Sequence, residues 1–195
     1  MPLGAFKAAL MGTAGVSTAD VVLLSSQTAS DSASLSFTSG ITSTYGEYIF
    51  KFYNINPEGS GVNFSFQVNG VGESGYNETI TSTFFKAHHH ENDTSSGLGY
   101  GAGNDQAQGT GVQQLLQSLG TGADNSIAGE LHLFNPASTT YVKHFYSRFE
   151  GMQDSPTTVD EFVAGYINTT TAIDDINFTM SSDNFNGKIK MWGVK

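Results

Sequence analysis

Apolar and polar residues alternate with a period of two along most of this chain, the mark of strands with one buried face. Val21 to Leu24 is a short apolar start, and Leu35 and Phe37 alternate with serines. Tyr48, Phe50 and Phe52 then face one way, with Glu47, Lys51 and Tyr53 opposite. After a turn over 54–61, Val62, Phe64, Phe66 and Val68 again share a face. Between Glu78 and Lys86, Thr79, Thr81 and Thr83 alternate with Ile80, Ser82 and Phe84. Glu130 to Phe134, Tyr141 to Phe149, Phe162 to Ile167 and Ile173 to Met180 continue the pattern. In the second of these, Tyr141, Phe145 and Phe149 oppose Val142, His144, Tyr146 and Arg148. Ile189, Met191 and Val194 close the chain, and Asn186-Gly187 predicts a hairpin turn joining the last two strands.

This pattern predicts about nine or ten strands with frequent turn signals, an all-β fold: an antiparallel β-sandwich, jelly-roll-like. Aromatic residues at such spacing suit a core between two sheets about 10 Å apart. Val112 to Leu119 fits either a short helix or an edge strand, because Val112, Leu115, Leu116 and Leu119 have helical spacing. The stretch from Asn92 to Thr110, with Gly97, Gly99, Gly101 and Gly103 in strict alternation, reads as a long exposed loop, functional or mobile. Residues 1–20 lie outside the strand pattern and read as an extended N-terminal arm ahead of a single sandwich domain over 21–195.

Composition narrows the function. Charged residues are only 13% of the chain, so solubility falls to Ser, Thr, Asn and Gly. A net charge of −10 with eight basic residues argues against a nucleic-acid or anionic-membrane partner. With no cysteine, disulfides, thiolate nucleophiles and Cys-based zinc sites are excluded. No apolar run reaches the roughly 18 residues of a membrane span. The segment from Leu3 to Val16 makes a poor signal peptide, with Lys7 inside it and Gly12 and Gly15 breaking it.

Motifs for chemistry fail one by one. On a strand, His88 and His90 share a face about 7 Å apart, but two imidazoles need a third ligand, from Glu91, Asp93 or a symmetry copy. A polar loop start is the plainer reading, and no metal or other cofactor is expected. The glycine run 97–103 lacks the strand-and-helix context of a dinucleotide site and the lysine of a P-loop. Gly72-Glu73-Ser74-Gly75 lacks the nucleophile-elbow spacing. Asp160-Glu161 and Asp174-Asp175 are neighbours on strands, so their carboxylates point to opposite faces and read as turn and surface residues. Asn-x-Ser/Thr triplets begin at Asn63, Asn77, Asn92, Asn168 and Asn177, two of them inside predicted strands, and glycosylation is not expected. Trp192 with Tyr100 and Tyr166 would make a sugar-stacking platform, though core or interface duty is commoner for such residues. No catalytic residue is assigned, and the chain is expected not to be an enzyme.

The opening Met1 to Ala9, the stretch Gly129-Glu-Leu-His-Leu-Phe-Asn-Pro136, and the closing Gly187-Lys-Ile-Lys-Met-Trp-Gly-Val-Lys195 resemble structural proteins of marine tailed phages. That resemblance spans nearly the whole chain. It implies a virion role at the particle surface as a capsid decoration (cement) protein, head fibre or tail fibre, with no catalytic motif to carry over. The expected partners are copies of itself in a homotrimer and the major capsid protein or other virion proteins, with residues 1–20 helping to hold the head lattice. The alternative it leaves open is a receptor-binding fibre domain that recognises host surface glycans through residues 92–110.

Overall fold

The structure is a computed structural model that describes residues 20–195. The N-terminal arm expected over residues 1–20 lies, except for Asp20, outside the described residues.

Eight strands form the frame: β1 (Val21–Ser32), β2 (Ser34–Phe37), β3 (Glu47–Pro57), β4 (Val62–Gly70), β8 (Gln113–Leu119), β9 (Ile127–Phe134), β12 (Ile173–Met180) and β13 (Phe185–Val194). They pair antiparallel in a nested order, β1 with β13, β2 with β12, β3 with β9 and β4 with β8. Apart from β4 and β8, which are neighbours in one sheet, successive frame strands alternate between two sheets, β1-β13-β3-β9 and β2-β12-β4-β8. This is the jelly-roll arrangement, with two facing four-stranded sheets.

Two insertions enlarge one sheet only. Between β4 and β8 lie β5 (Ile80–His90), β6 (Ser96–Tyr100) and β7 (Ala107–Gly109); between β9 and β12 lie β10 (Lys143–Met152) and β11 (Thr157–Ile167). They meet through β11 and β5 and continue the sheet as β9-β10-β11-β5-β6, with β7 on the other half of β5. The larger sheet has nine strands and overhangs the four-stranded one.

Alternation places Phe50, Phe52, Phe64, Phe149, Phe178 and Phe185 fully inside. Most of their rings meet edge-to-face or tilted, with Phe52 4.9 Å from Phe149 and 5.0 Å from Phe178, while Phe64 and Phe178 stack. Such geometry suits the ring quadrupoles and adds to the area buried.

The structure departs from the sequence reading at several places. Among the described residues there are thirteen strands, because the expected long loop contains β6 and β7. Two of the four alternating glycines have a packing cause, while Gly99 and Gly103 meet nothing within 4 Å. Gly97 and Gly101 stand over His88 and Phe84, where an added Cβ would come within 3.1 Å and 2.7 Å of the neighbouring side chain. The segment 112–119 resolves to β8, the edge strand of the smaller sheet, since its inward residues must bury against β10 and β11. The expected terminal hairpin is absent: β12 and β13 belong to different sheets. Asn186-Gly187 instead marks a bulge inside β13, where the register to β3 shifts. Gly187 has φ +138°, and a Cβ there would lie 2.9 Å from the Asn54 carbonyl oxygen. Tyr141 precedes β10 and is exposed, so the inward series on that strand is Lys143, Phe145, Ser147 and Phe149.

Candidate functional site

Three features stand out: the outer face of the overhang, a groove at one end of the sandwich, and a polar layer beneath the overhang. The outer face follows from strand alternation. Arg148 on β10, Phe162 on β11, Phe85 on β5 and Tyr100 on β6 are cross-strand neighbours in succession. Phe162 and Phe85 stack with centroids 4.8 Å apart and planes 5° from parallel. The Arg148 guanidinium lies 5.2 Å from the Phe162 centroid and grips Asp160 through Nε and Nη2, at 3.0 Å and 2.7 Å. The Tyr100 hydroxyl donates to Asp105 at 2.5 Å, and that hydrogen bond is the main cause raising its pKa. Beside this ladder, exposed Leu98 is paired with Ala87. All of β6 is exposed, and Leu98 and Tyr100 alternate along it with glycines, so its apolar side chains face solvent.

The groove lies where the connections β2–β3, β9–β10 and β11–β12 come together. Its volume is about 890 Å³, and Tyr45, Phe134, Asn135, Tyr141, His144 and Thr170 line it with small and hydroxyl residues. None of its lining side chains is Asp, Glu, Lys or Arg. The β9–β10 connection is held in place by its own backbone. The Asn135 amide donates to the Gly46 carbonyl at 2.7 Å, and the amides of Thr140 and Tyr141 both donate to Ser138 Oγ. On the opposite wall Tyr45 meets Tyr48 edge-on at 5.9 Å, and the Tyr48 hydroxyl bonds both the amide and the carbonyl of Thr42.

Beneath the overhang, polar groups are buried among Phe84, Val159, Val163 and Ile167. Ser82 Oγ donates to Gln113 Oε1 at 2.6 Å, and Asn104 Nδ2 donates to Gln117 Oε1 at 2.7 Å. Lys143 is buried and donates to the Thr169 carbonyl at 3.1 Å, with burial lowering its pKa and the Glu78 charge opposing. Glu161 is 0% exposed; its Oε2 accepts the Gln117 amide at 3.1 Å, and its Oε1 has no hydrogen-bond partner among the described residues. Burial pushes its pKa up to about 8, against the Lys86 charge and the Gln117 bond.

Glu161 is therefore not the surface carboxylate expected of the Asp160-Glu161 pair. Asp160 faces outward to Arg148, and Glu161 faces the interior, the alternation that keeps the two apart. Asp174 and Asp175 sit on β12, partly buried, and burial first and the Asp174 charge second raise the pKa of Asp175. His88, His89 and His90 end β5. His88 contacts Ser95, His89 contacts Asp93, and His90 Nδ1 accepts the Asn92 amide. Among the described residues no group of three or more His, Cys, Asp or Glu is placed to hold a metal ion. Trp192, Tyr100 and Tyr166 lie on β13, β6 and β11, too many strands apart to make one platform. Asn63 and Asn177 are committed inside strands, to the Ser118 amide and to Ser36. The ladder was missed in the sequence, yet Phe84-Phe85 carries its signal: adjacent strand residues that are both aromatic put one ring on each face.

No family model and no curated protein sequence matches this chain. Among solved structures, a structure of the Gt strain of infectious bursal disease virus is similar at 9% identity and a TM-score of 0.17, over 87% of this chain and 42% of that one. A subviral particle of VP2 from the same virus gives 8% identity and a TM-score of 0.16, over 90% of this chain and 42% of that one. The chain thus spans about two fifths of the chains it matches. The jelly-roll assignment rests on the strand pairing and not on these likenesses.

Proposed function

We propose that the chain is a non-enzymatic structural subunit of a virus particle, assembling through the outer face of its enlarged sheet, and that its place is capsid decoration as a homotrimer. The observation that carries this reading is the ladder Arg148–Phe162–Phe85–Tyr100. Insertions from two separate points in the chain converge to build it, and it turns stacked rings to solvent, where a monomer gains little from them. Aromatic and arginine side chains are the residues that dominate protein–protein contacts. A low-charge, acidic surface keeps free subunits apart until specific contacts form. The resemblance of the three sequence stretches to tailed-phage structural proteins adds the virion context. A non-enzymatic role accords with Glu161, whose pKa is strongly displaced but whose carboxyl is sealed from solvent.

The test has two parts. Sedimentation of the purified chain is expected to give a trimer, and gold-labelled antibody on intact particles is expected over the head. Label confined to the tail tip would replace decoration by the fibre reading, and a monomer at high concentration with no label on particles would remove both. On the fibre reading, residues 92–110 would offer exposed strand as well as loop, because β6 and β7 pair with β5.

A further inference from the structure

We infer that the groove between Tyr45, Phe134 and Tyr141 binds a short neutral oligosaccharide. This inference rests on the groove alone and does not depend on trimer assembly or on a place in a virion.

The first argument is chemical. A sugar ring offers a C–H face that packs on aromatic rings and a rim of hydroxyls that both donate and accept hydrogen bonds. The groove supplies both halves: Tyr45, Phe134 and Tyr141 as ring surface, and Asn135, His144 and Thr170 as polar groups beside them. No carboxylate, ammonium or guanidinium lines it, so it offers a phosphate, a nucleotide or a uronic acid no permanent counter-charge. On a chain of net charge −10, an anion would also meet long-range repulsion.

The second argument is preorganisation. Tyr141 is 74% exposed, so its ring contributes little to the fold, yet its own amide is pinned by Ser138 Oγ at 3.1 Å. Asn135 takes φ +45°, and Pro136 accepts the Ile173 amide at 2.9 Å, which anchors the same connection to β12. Across the groove, Tyr45 packs over Gly193, where a Cβ would come within 2.5 Å of the Tyr45 ring. Walls fixed before a ligand arrives lower the ordering cost of binding. A volume of about 890 Å³ falls within the roughly 300–1,000 Å³ of ligand pockets and suits a few sugar rings rather than one.

The experiment uses the full chain, saturation-transfer NMR and calorimetry. The probes are di- to tetrasaccharides of glucose, galactose and mannose, with galacturonate oligomers of the same lengths as acidic counterparts. Binding is expected for at least one neutral series and not for the acidic one. Tyr141→Ala is expected to weaken it at least tenfold, and Tyr100→Ala, on the ladder, to leave it unchanged. Because Tyr141 is so exposed, its variant should keep the wild-type unfolding midpoint. His144→Ala provides a second reading of the same wall, with an expected loss of several-fold. The proposal is overturned if none of the three neutral series binds, if the acidic oligomers bind as well, or if Tyr141→Ala and His144→Ala both bind as the wild type does.

Discussion

β3 and β11 belong to the same sheet, but their inner faces are packed by opposite means. Under β3, Phe50 and Phe52 meet Phe37, Phe64, Phe149 and Phe178 in a continuous run of rings. Under β11, two strands away from β9, Val159 and Val163 flank Glu161, and amides and hydroxyls from the β5–β8 stretch fill the space. The outer faces reverse the contrast, since β3 shows Lys51 paired with Glu130 while β11 shows Phe162 stacked on Phe85. The inserted strands still add Phe84, Phe145, Phe149, Val159 and Val163 to the apolar core, but they set polar groups among them. They extend a surface, and hold it up with hydrogen bonds that return only about 1 kcal/mol each.

The largest effect expected is on the ring side. Phe178→Ala removes a side chain that contacts Phe37, Phe50, Phe52 and Phe64, and should cost about 3–5 kcal/mol in chemical unfolding. A loss below about 1 kcal/mol would mean that the ring cluster is not the main source of stability.

On the polar side the expected effect depends on pH. The folded-state pKa of Glu161, about 8, is above the ordinary carboxyl value of 4.5, so the fold favours its acid form. Below about pH 4.5 its burial carries no ionisation cost; the cost grows from there to pH 8 and is complete above it. Glu161→Gln should thus be near neutral at pH 4 and stabilising at pH 9, by on the order of a few kcal/mol. Thermal melts of both proteins across that range measure the difference. Curves that stay parallel would show that Glu161 is not buried as an acid.

The same division decides what was legible in the sequence. The ring side was readable, because Tyr48, Phe50 and Phe52, then Phe64 and Phe66, announce buried faces by period alone. The overhang was obscured by three things. Its edge strand β6 is exposed along its whole length and alternates glycines with Leu98 and Tyr100, so no buried apolar face announces it and the stretch resembles a loop. Glu161 is a charged residue at an inward position, which pattern reading assigns to the surface. Asn186-Gly187 carries a hairpin signature, but a bulge needs the same positive φ, and only the sheet assignment of β12 and β13 tells the two apart. The groove was invisible for a different reason: its walls come from three connections far apart in the chain, and no local pattern links them.

The smallest effect on the fold is expected where the proposed effect on assembly is greatest. Phe85 is 42% exposed, and its neighbours Phe162 and Tyr100 share the solvent face with it. Phe85→Ser removes one stacked ring from a surface that water already reaches, so the unfolding free energy of the monomer should shift by about 0.5 kcal/mol or less. If the ladder is the contact between copies, the same substitution removes a ring from the middle of a desolvated patch, where single aromatic truncations commonly cost 2 kcal/mol or more, roughly a thirtyfold loss of affinity. Chemical unfolding of the monomer reads the first number and sedimentation of Phe85→Ser beside the wild type reads the second. A variant that remains as associated as the parent would show that the rings face something other than a second copy, and would leave the enlarged sheet without its assembly role.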